Sequence, residues 1–245
     1  MTVFRIEIAG KVFEVTSLFE STKDYCRKYL TETAPDFTVA VFPEDLVAEQ
    51  AFLDDEAREE GMKRRKFTDP FLERAAIQRK AAECLFDCRT LLFHGSAVAV
   101  EGKGYLFTAA CGTGKSTHTR FWREAFGEQA VMVNDDKPFL KITEAGVLMY
   151  GAPWSGKHGL DTNICVPLCG LCILTRGTEN RISPVSPEEV LPMLLHQSCA
   201  PSDTERLPEF RQLVEQLCQK TRLWQMACTK DPSAALVSFE AMSHP

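Results

Sequence analysis

Residues Gly104 to Thr117 read GYLFTAACGTGKST. An apolar run is followed by a loop of small residues and then by the opening of a helix, THTRFWREAF, over 117–126. A phosphate-cradling loop needs that order, because small residues let backbone N–H groups converge on anionic oxygens at the positive end of the following helix. The loop and first helical turn, Ala110, Cys111, Gly112, Thr113, Gly114, Lys115, Ser116 and Thr117, are therefore the expected nucleotide-binding residues. Lys115 is suited to reach the β- and γ-phosphates and the Ser116 hydroxyl to ligate Mg²⁺, so ATP and Mg²⁺ are the expected cofactors. The strict pattern has Gly where this chain has Ala109, a position at which unusual backbone angles are expected. Cys111 lies by a helix N-terminus, which lowers a thiol pKa, although bound phosphates oppose thiolate formation and a packing role suits it better.

Outward from this loop, the apolar run AVMV leads into Asn134-Asp135-Asp136-Lys137. Two carboxylates at a strand end, 20 and 21 residues beyond Lys115, can hold a metal or take the proton of an attacking hydroxyl. Short apolar runs from Leu91 onward (LLFHGSAVAV, GYLFTA, AVMV), interrupted by one helix at 115–126, predict a mixed sheet buried on both faces. Further strands are expected within 147–176 and at Leu223–Cys228, with helices at 187–198 and 206–220. The first ninety residues have a different texture. Residues 3–8 and 11–15 alternate around Ala9-Gly10 as a hairpin; a helix is expected near 18–30, a short strand at 38–42, and helices at 43–62 and 69–88. The expected organisation is α/β: a smaller α+β region over 1–89 and a mixed-sheet nucleotide-binding domain over 90–245.

The 245-residue chain is 44% hydrophobic and carries a formal charge of −6, ordinary for a packed core and unlike a nucleic-acid-binding domain. The run Lys63, Arg64, Arg65, Lys66 reads as a solvated helix end. No segment nears the ~18 apolar residues of a membrane helix, and the N-terminus lacks a signal-peptide pattern, so a cytoplasmic protein with no membrane or nucleic-acid partner is expected. A homo-oligomer is left open. Ten dispersed cysteines read as reduced thiols. Cys165, Cys169 and Cys172 have the spacing of a radical enzyme's iron-sulfur ligands, but ICVPLCGLCIL reads as an apolar strand pair in which Cys is a small core residue.

Taken together, His94-Gly95, the loop ACGTGKST and Asp135-Asp136 resemble the catalytic domain of HPr kinase/phosphorylase, a relative of ATP-dependent phosphoenolpyruvate carboxykinases. The likeness covers roughly residues 90–177. The stretches HGSAVAV, NDDKP, YGAPWSGKH and TRG further resemble stand-alone bacterial proteins of this kind. The resemblance implies transfer of the γ-phosphoryl group of ATP to a serine-type hydroxyl, with Asp135 as general base and Asp136 as metal partner. His94 would tune the aspartates or contact phosphate. Lys157, in the loop Gly151–His158, would stabilise the transferred phosphoryl; Asn163 and Arg176 are further candidates for the pocket. The arginine-bearing loop that recognises the HPr protein is not found, so that substrate is not carried over. The expected acceptor is a hydroxyl on a protein, a peptide or a small molecule. A non-catalytic ATP sensor is the alternative. Carboxykinase chemistry ranks last, because a dicarboxylate substrate calls for clustered arginines, which the sequence lacks.

Overall fold

The computed structural model describes residues 1–59, 61, 63–110 and 112–244, and the chain divides into two compact units, Met1–Leu85 and Phe86–Pro245. The expected boundary at 89/90 thus falls four residues earlier, at the end of a helix.

In the first unit, β1 (Thr2–Ile8) and β2 (Lys11–Ser17) form the antiparallel hairpin that the alternation predicts, and β3 (Phe37–Ala40) adds parallel to β2. Its turn holds Ala9 and Gly10 at φ 53° and 72°, the left-handed angles of a tight hairpin. The expected helix over 18–30 is a short α1 (Glu20–Tyr25) followed by a 3-10 turn at Arg27–Tyr29. Its start has no cap of its own. Glu73, fully buried on α3 (Asp69–Phe86), accepts instead from the Leu18 and Phe19 N–H groups and from the Thr22 hydroxyl. The helix α2 (Pro43–Glu59) is bound to α3 by the bidentate Arg79–Glu49 pair and by Lys80, which donates to Asp45 and to the Ala40 carbonyl. The basic run 63–66 lies beyond α2 with no regular structure, so it is a loop segment and not a helix end.

The second unit is a curled mixed sheet with helices packed on it, an α/β arrangement. The run LLFHGSAVAV splits into β4 (Thr90–Leu92) and β5 (Ser96–Val100), separated where His94-Gly95 leaves the sheet. The remaining strands are β6 (Lys103–Thr108), β7 (Ala130–Asn134), β8 (Phe139–Ile142), β9 (Val147–Tyr150), β10 (Cys165–Arg176), β11 (Arg181–Pro184) and β12 (Leu223–Cys228). Their order is β4-β8-β9-β10-β6-β5-β7, with β12 pairing both β10 and β11. ICVPLCGLCIL is not a strand pair. From Cys165 onward it lies in the single twelve-residue β10, whose start pairs with β9 and whose end pairs with β12, with an irregularity between Leu168 and Gly170. Cys165 is exposed and Cys172 is buried with its thiol pKa pushed up by burial, a setting that disfavours the thiolate an iron-sulfur ligand must supply.

The second unit also contains α4 (Lys115–Phe126), α5 (Pro187–Gln197), α6 (Leu207–Lys220) and α7 (Ser233–Ser243). Because β5 runs antiparallel to both of its neighbours β6 and β7, its start lies at the same sheet end as their exits. β10, parallel to β6, delivers Arg176 to that end as well. No helix among the described residues is long and apolar enough to cross a membrane.

Candidate functional site

The loop after β6 leaves the sheet through Ala109, which is fully buried. Ala109 is absent from the non-glycine residues with positive φ, so the position does not need glycine's freedom in this chain. Gly112 and Gly114 do need it, at φ 71° and 122°. A Cβ at Gly112 would meet nothing within 4 Å, so the requirement there is the backbone angle and not space. α4 starts directly behind Gly114 with no side-chain cap, which leaves its first N–H groups for an anion. Lys115 folds its ammonium back on the Ala109 carbonyl at 3.3 Å, and Arg176 donates to the Gly112 carbonyl at 3.0 Å. Ser116 is exposed on the first turn and Thr117 half-buried. Cys111 lies outside the described residues.

The carboxylate pair sits past the end of β7, so strand alternation no longer sends the two side chains to opposite faces. Asn134 makes the turn. Its amide donates to the Ala152 and Trp154 carbonyls, and its oxygen accepts from the Asp136 and Lys137 N–H groups. Asp135 is buried and accepts from the Ser96 hydroxyl at 2.5 Å; Ser96 in turn lies 2.7 Å from the Thr119 hydroxyl on α4. Ser96 can bridge the two because β5 lies between the strand that leads to the phosphate loop and the strand that leads to the aspartates.

Asp136 faces the other way. Its oxygen is 3.6 Å from His94 Nε2, too long for a hydrogen bond, and its carbonyl accepts from the Gly95 N–H. Gly95 lacks room for a side chain, since a Cβ would come within 2.8 Å of Leu106. Gly156 presses on the same aspartate: at φ 66°, its Cβ position is 3.2 Å from Asp136 Cβ.

Both members of this contact are held toward their neutral forms. Burial, then the charges of Lys137, Lys115 and His196, push His94 down from 6.5 to about 3, so its imidazole is neutral at pH 7. Burial pushes the Asp136 carboxyl above its ordinary value, with Asp135 adding, against the pull of Lys137 and Lys115. Asp136 keeps 37% of its side chain exposed, so water still screens part of this effect. The 3.6 Å contact is therefore not a standing ion pair at neutral pH.

The loop after β9 reaches the pair through its backbone. A Cβ on Gly151 would strike the Thr162 carbonyl oxygen at 1.9 Å, so the glycine lets this loop lie flat against the end of β7. Lys157 sits on the 3-10 turn Gly156–His158, directly after the glycine against Asp136, with its own side chain exposed. Asn163 is exposed, while Arg176 joins the phosphate loop as described. Three contributors carry no local sequence signal: Ser96, Thr119 and the end of α5. There the Gln197 carbonyl accepts from His94 N–H at 2.7 Å, its side chain accepts from Thr108, and exposed His196 adds positive potential at His94.

The donor types at this sheet end, the Ser116 hydroxyl on the first helical turn and the Asp135 and Asp136 carboxylates, are ones that Mg²⁺ takes.

No family model and no curated protein matches the chain. Among solved structures the chain is similar to the HPr(Ser) kinase/phosphatase from Coxiella burnetii, at 14% identity over 52% of this chain and 88% of that one, with a TM-score of 0.28.

Proposed function

We propose that the second unit is an ATP- and Mg²⁺-dependent phosphotransferase, of the HPr kinase and phosphoenolpyruvate carboxykinase type of fold, acting on a serine-type hydroxyl. The observation that carries this reading is the Ser96 bridge, which ties a buried carboxylate to the helix behind the phosphate loop. A structural turn needs no such link.

The loop glycines and the first N–H groups of α4 bind the phosphates, and Lys115 exchanges its carbonyl contact for the β- and γ-oxygens. Ser116 and Asp135 would hold Mg²⁺, which would supply charge neutralisation at the phosphates. Asp136, the more accessible carboxylate, with a raised proton affinity, takes the acceptor proton. This reverses the division of labour expected from the resemblance, because Asp135 points to α4 and Asp136 to the His94 side. The acceptor oxygen forms its bond to the γ-phosphorus as the bond to ADP breaks, and the O–H proton passes to Asp136. Neutral His94 can donate or accept one hydrogen bond near the acceptor without adding charge. Lys157, exposed on the 3-10 turn whose Gly156 abuts Asp136, is the cation assigned to the transferred group. The acceptor is a protein, peptide or small molecule, and the setting is the cytoplasm, where ATP is abundant.

The test is calorimetry of ATP with Mg²⁺ on the wild type, Lys115→Ala and Asp136→Asn, followed by a transfer assay on serine peptides and hydroxyl metabolites. Lys115→Ala is expected to lose binding, and Asp136→Asn to keep binding and lose transfer. Wild-type binding without transfer to any acceptor would leave a nucleotide sensor. No binding at all overturns the assignment.

A further inference from the structure

The first unit holds a cavity of about 510 Å³ between α2 and the segment leading into α3. Leu46, Val47, Phe67 and Leu72 supply its apolar part, while Arg64, Arg65 and Lys66 supply its charged wall. The charged wall is fixed in place. Gln50 on α2 donates from its side-chain amide to the Arg65 carbonyl at 2.9 Å and accepts the Phe67 N–H at 3.0 Å, so one side chain pins the backbone that displays the three cations. The same amide donates to Asp54 at 3.0 Å. All three cationic side chains are exposed, and among the described residues none makes an ion pair. Val47, beside them, is 73% exposed. An exposed basic run thus lies next to uncovered aliphatic surface on a chain of net charge −6.

We propose that this groove docks an acidic peptide segment of a partner protein, with an apolar side chain of the segment in the cavity and its flanking carboxylates on Arg64, Arg65 and Lys66. The charge pattern selects this occupant. Asp54 and Asp69 also line the cavity. They would repel the evenly spaced phosphates of a nucleic acid or an anionic lipid surface, whereas a peptide can offer them backbone N–H groups. The cavity volume suits one or two apolar side chains, the usual anchors of a peptide in a groove. This site does not depend on the phosphotransferase reading and uses none of its residues.

The test is fluorescence anisotropy on the full chain with a fluorescein-labelled peptide repeating Glu-Glu-Leu-Phe. Controls are a Glu-Glu-Ser-Ser peptide, poly(U) RNA and phosphatidylserine vesicles. Saturable binding with a Kd on the order of micromolar is expected. The triple variant R64E/R65E/K66E and the single variant Val47→Asp should each weaken it by about tenfold or more, as should the Glu-Glu-Ser-Ser peptide. The substituted residues are exposed, so the variants should keep the wild-type circular dichroism and the wild-type ATP affinity. Absence of saturable peptide binding overturns the proposal, as does binding that both variants leave unchanged. Tighter binding of RNA or vesicles than of the peptide at the same salt also overturns it.

Discussion

Ser96→Ala is the most informative perturbation of the candidate site. The Ser96 hydroxyl is fully buried, and among the described residues it contacts Asp135 at 2.5 Å and Thr119 at 2.7 Å. Its removal deletes a hydrogen bond to a carboxylate, worth about 1.5–3 kcal/mol, and leaves a buried acceptor underpaired. Thr119 keeps long fallback contacts to the Lys115 and Ser116 carbonyls, both at 3.4 Å, so little is regained there. The expected loss is about 2 kcal/mol in urea unfolding, close to a ~30-fold fall in the folded-to-unfolded ratio. Phosphoryl transfer should fall by about tenfold to a hundredfold, because Asp135 loses its fixed orientation, while ATP affinity measured without Mg²⁺ changes little. Thr119→Val spares the Ser96–Asp135 bond and should cost less on both counts. Ser96→Ala combined with Asp135→Asn should be clearly non-additive, since the two share one interaction. A stability change within about 0.5 kcal/mol for Ser96→Ala, the range of a bland surface substitution, would refute the bridge.

Three further outcomes follow from named contacts. Glu73→Ala removes the buried carboxylate that caps α1 and should cost about 2–4 kcal/mol, read as faster amide hydrogen exchange over residues 18–25 with the second unit unaffected. Arg176→Ala frees the Gly112 carbonyl and should weaken ATP binding by roughly fivefold in calorimetry with an unchanged melting temperature. The pH dependence has a defined sign. His94 binds its proton more weakly when folded, so it costs stability as pH falls from 6.5 toward about 3. Asp136 binds its proton more tightly when folded, so its cost grows as pH rises through and above 3.8. His94→Gln should therefore flatten the acid limb of a stability-against-pH curve, and Asp136→Asn should be more stable than wild type at pH 7, with the gain vanishing in acid.

The sequence announces those parts of the fold that are local. Alternation around Ala9-Gly10 gives β1 and β2, and the apolar run Leu223–Cys228 gives β12 with its observed ends. Where one run hides a break, periodicity fails. LLFHGSAVAV is apolar on both sides of His94-Gly95, so nothing local shows that the chain leaves the sheet there. The helix α7, SAALVSFEAMS, went unanticipated because it is apolar nearly all round and has no polar stripe to give a 3.6-residue period. ICVPLCGLCIL reads as a strand pair, yet its Pro167 and Gly170 both fit one strand, β10. Pro167 lies where β10 turns from β9 to β6, and Gly170 makes way for Met242 of α7, whose methyl would be 2.8 Å from a Cβ. In the candidate site, the glycine loop and Asp135-Asp136 are visible in the sequence because each is a contiguous string. Ser96, Thr119, His196 and Gln197 are not, because the order β6-β5-β7 and the packing of α5 bring them in, and neither is written within any one segment.

The energetics of that sheet end bear on function independently of any resemblance. Asp135 is buried, Asp136 has its charged form disfavoured, and His94 is held neutral well below its ordinary range, all beside a helix start with no side-chain cap. The disfavoured charged forms of Asp136 and His94 and the open helix start cost stability in the free protein. A fold shaped for stability alone could relieve them with apolar residues in the same volume and a Ser or Asp cap before α4. Uncompensated local costs that converge on one place are expected where binding or chemistry uses them. An anion at the open N–H groups and a cation between the phosphates and the carboxylates would remove most of the cost together. Under the proposed function, ATP with Mg²⁺ is therefore expected to raise the melting temperature more than either component alone.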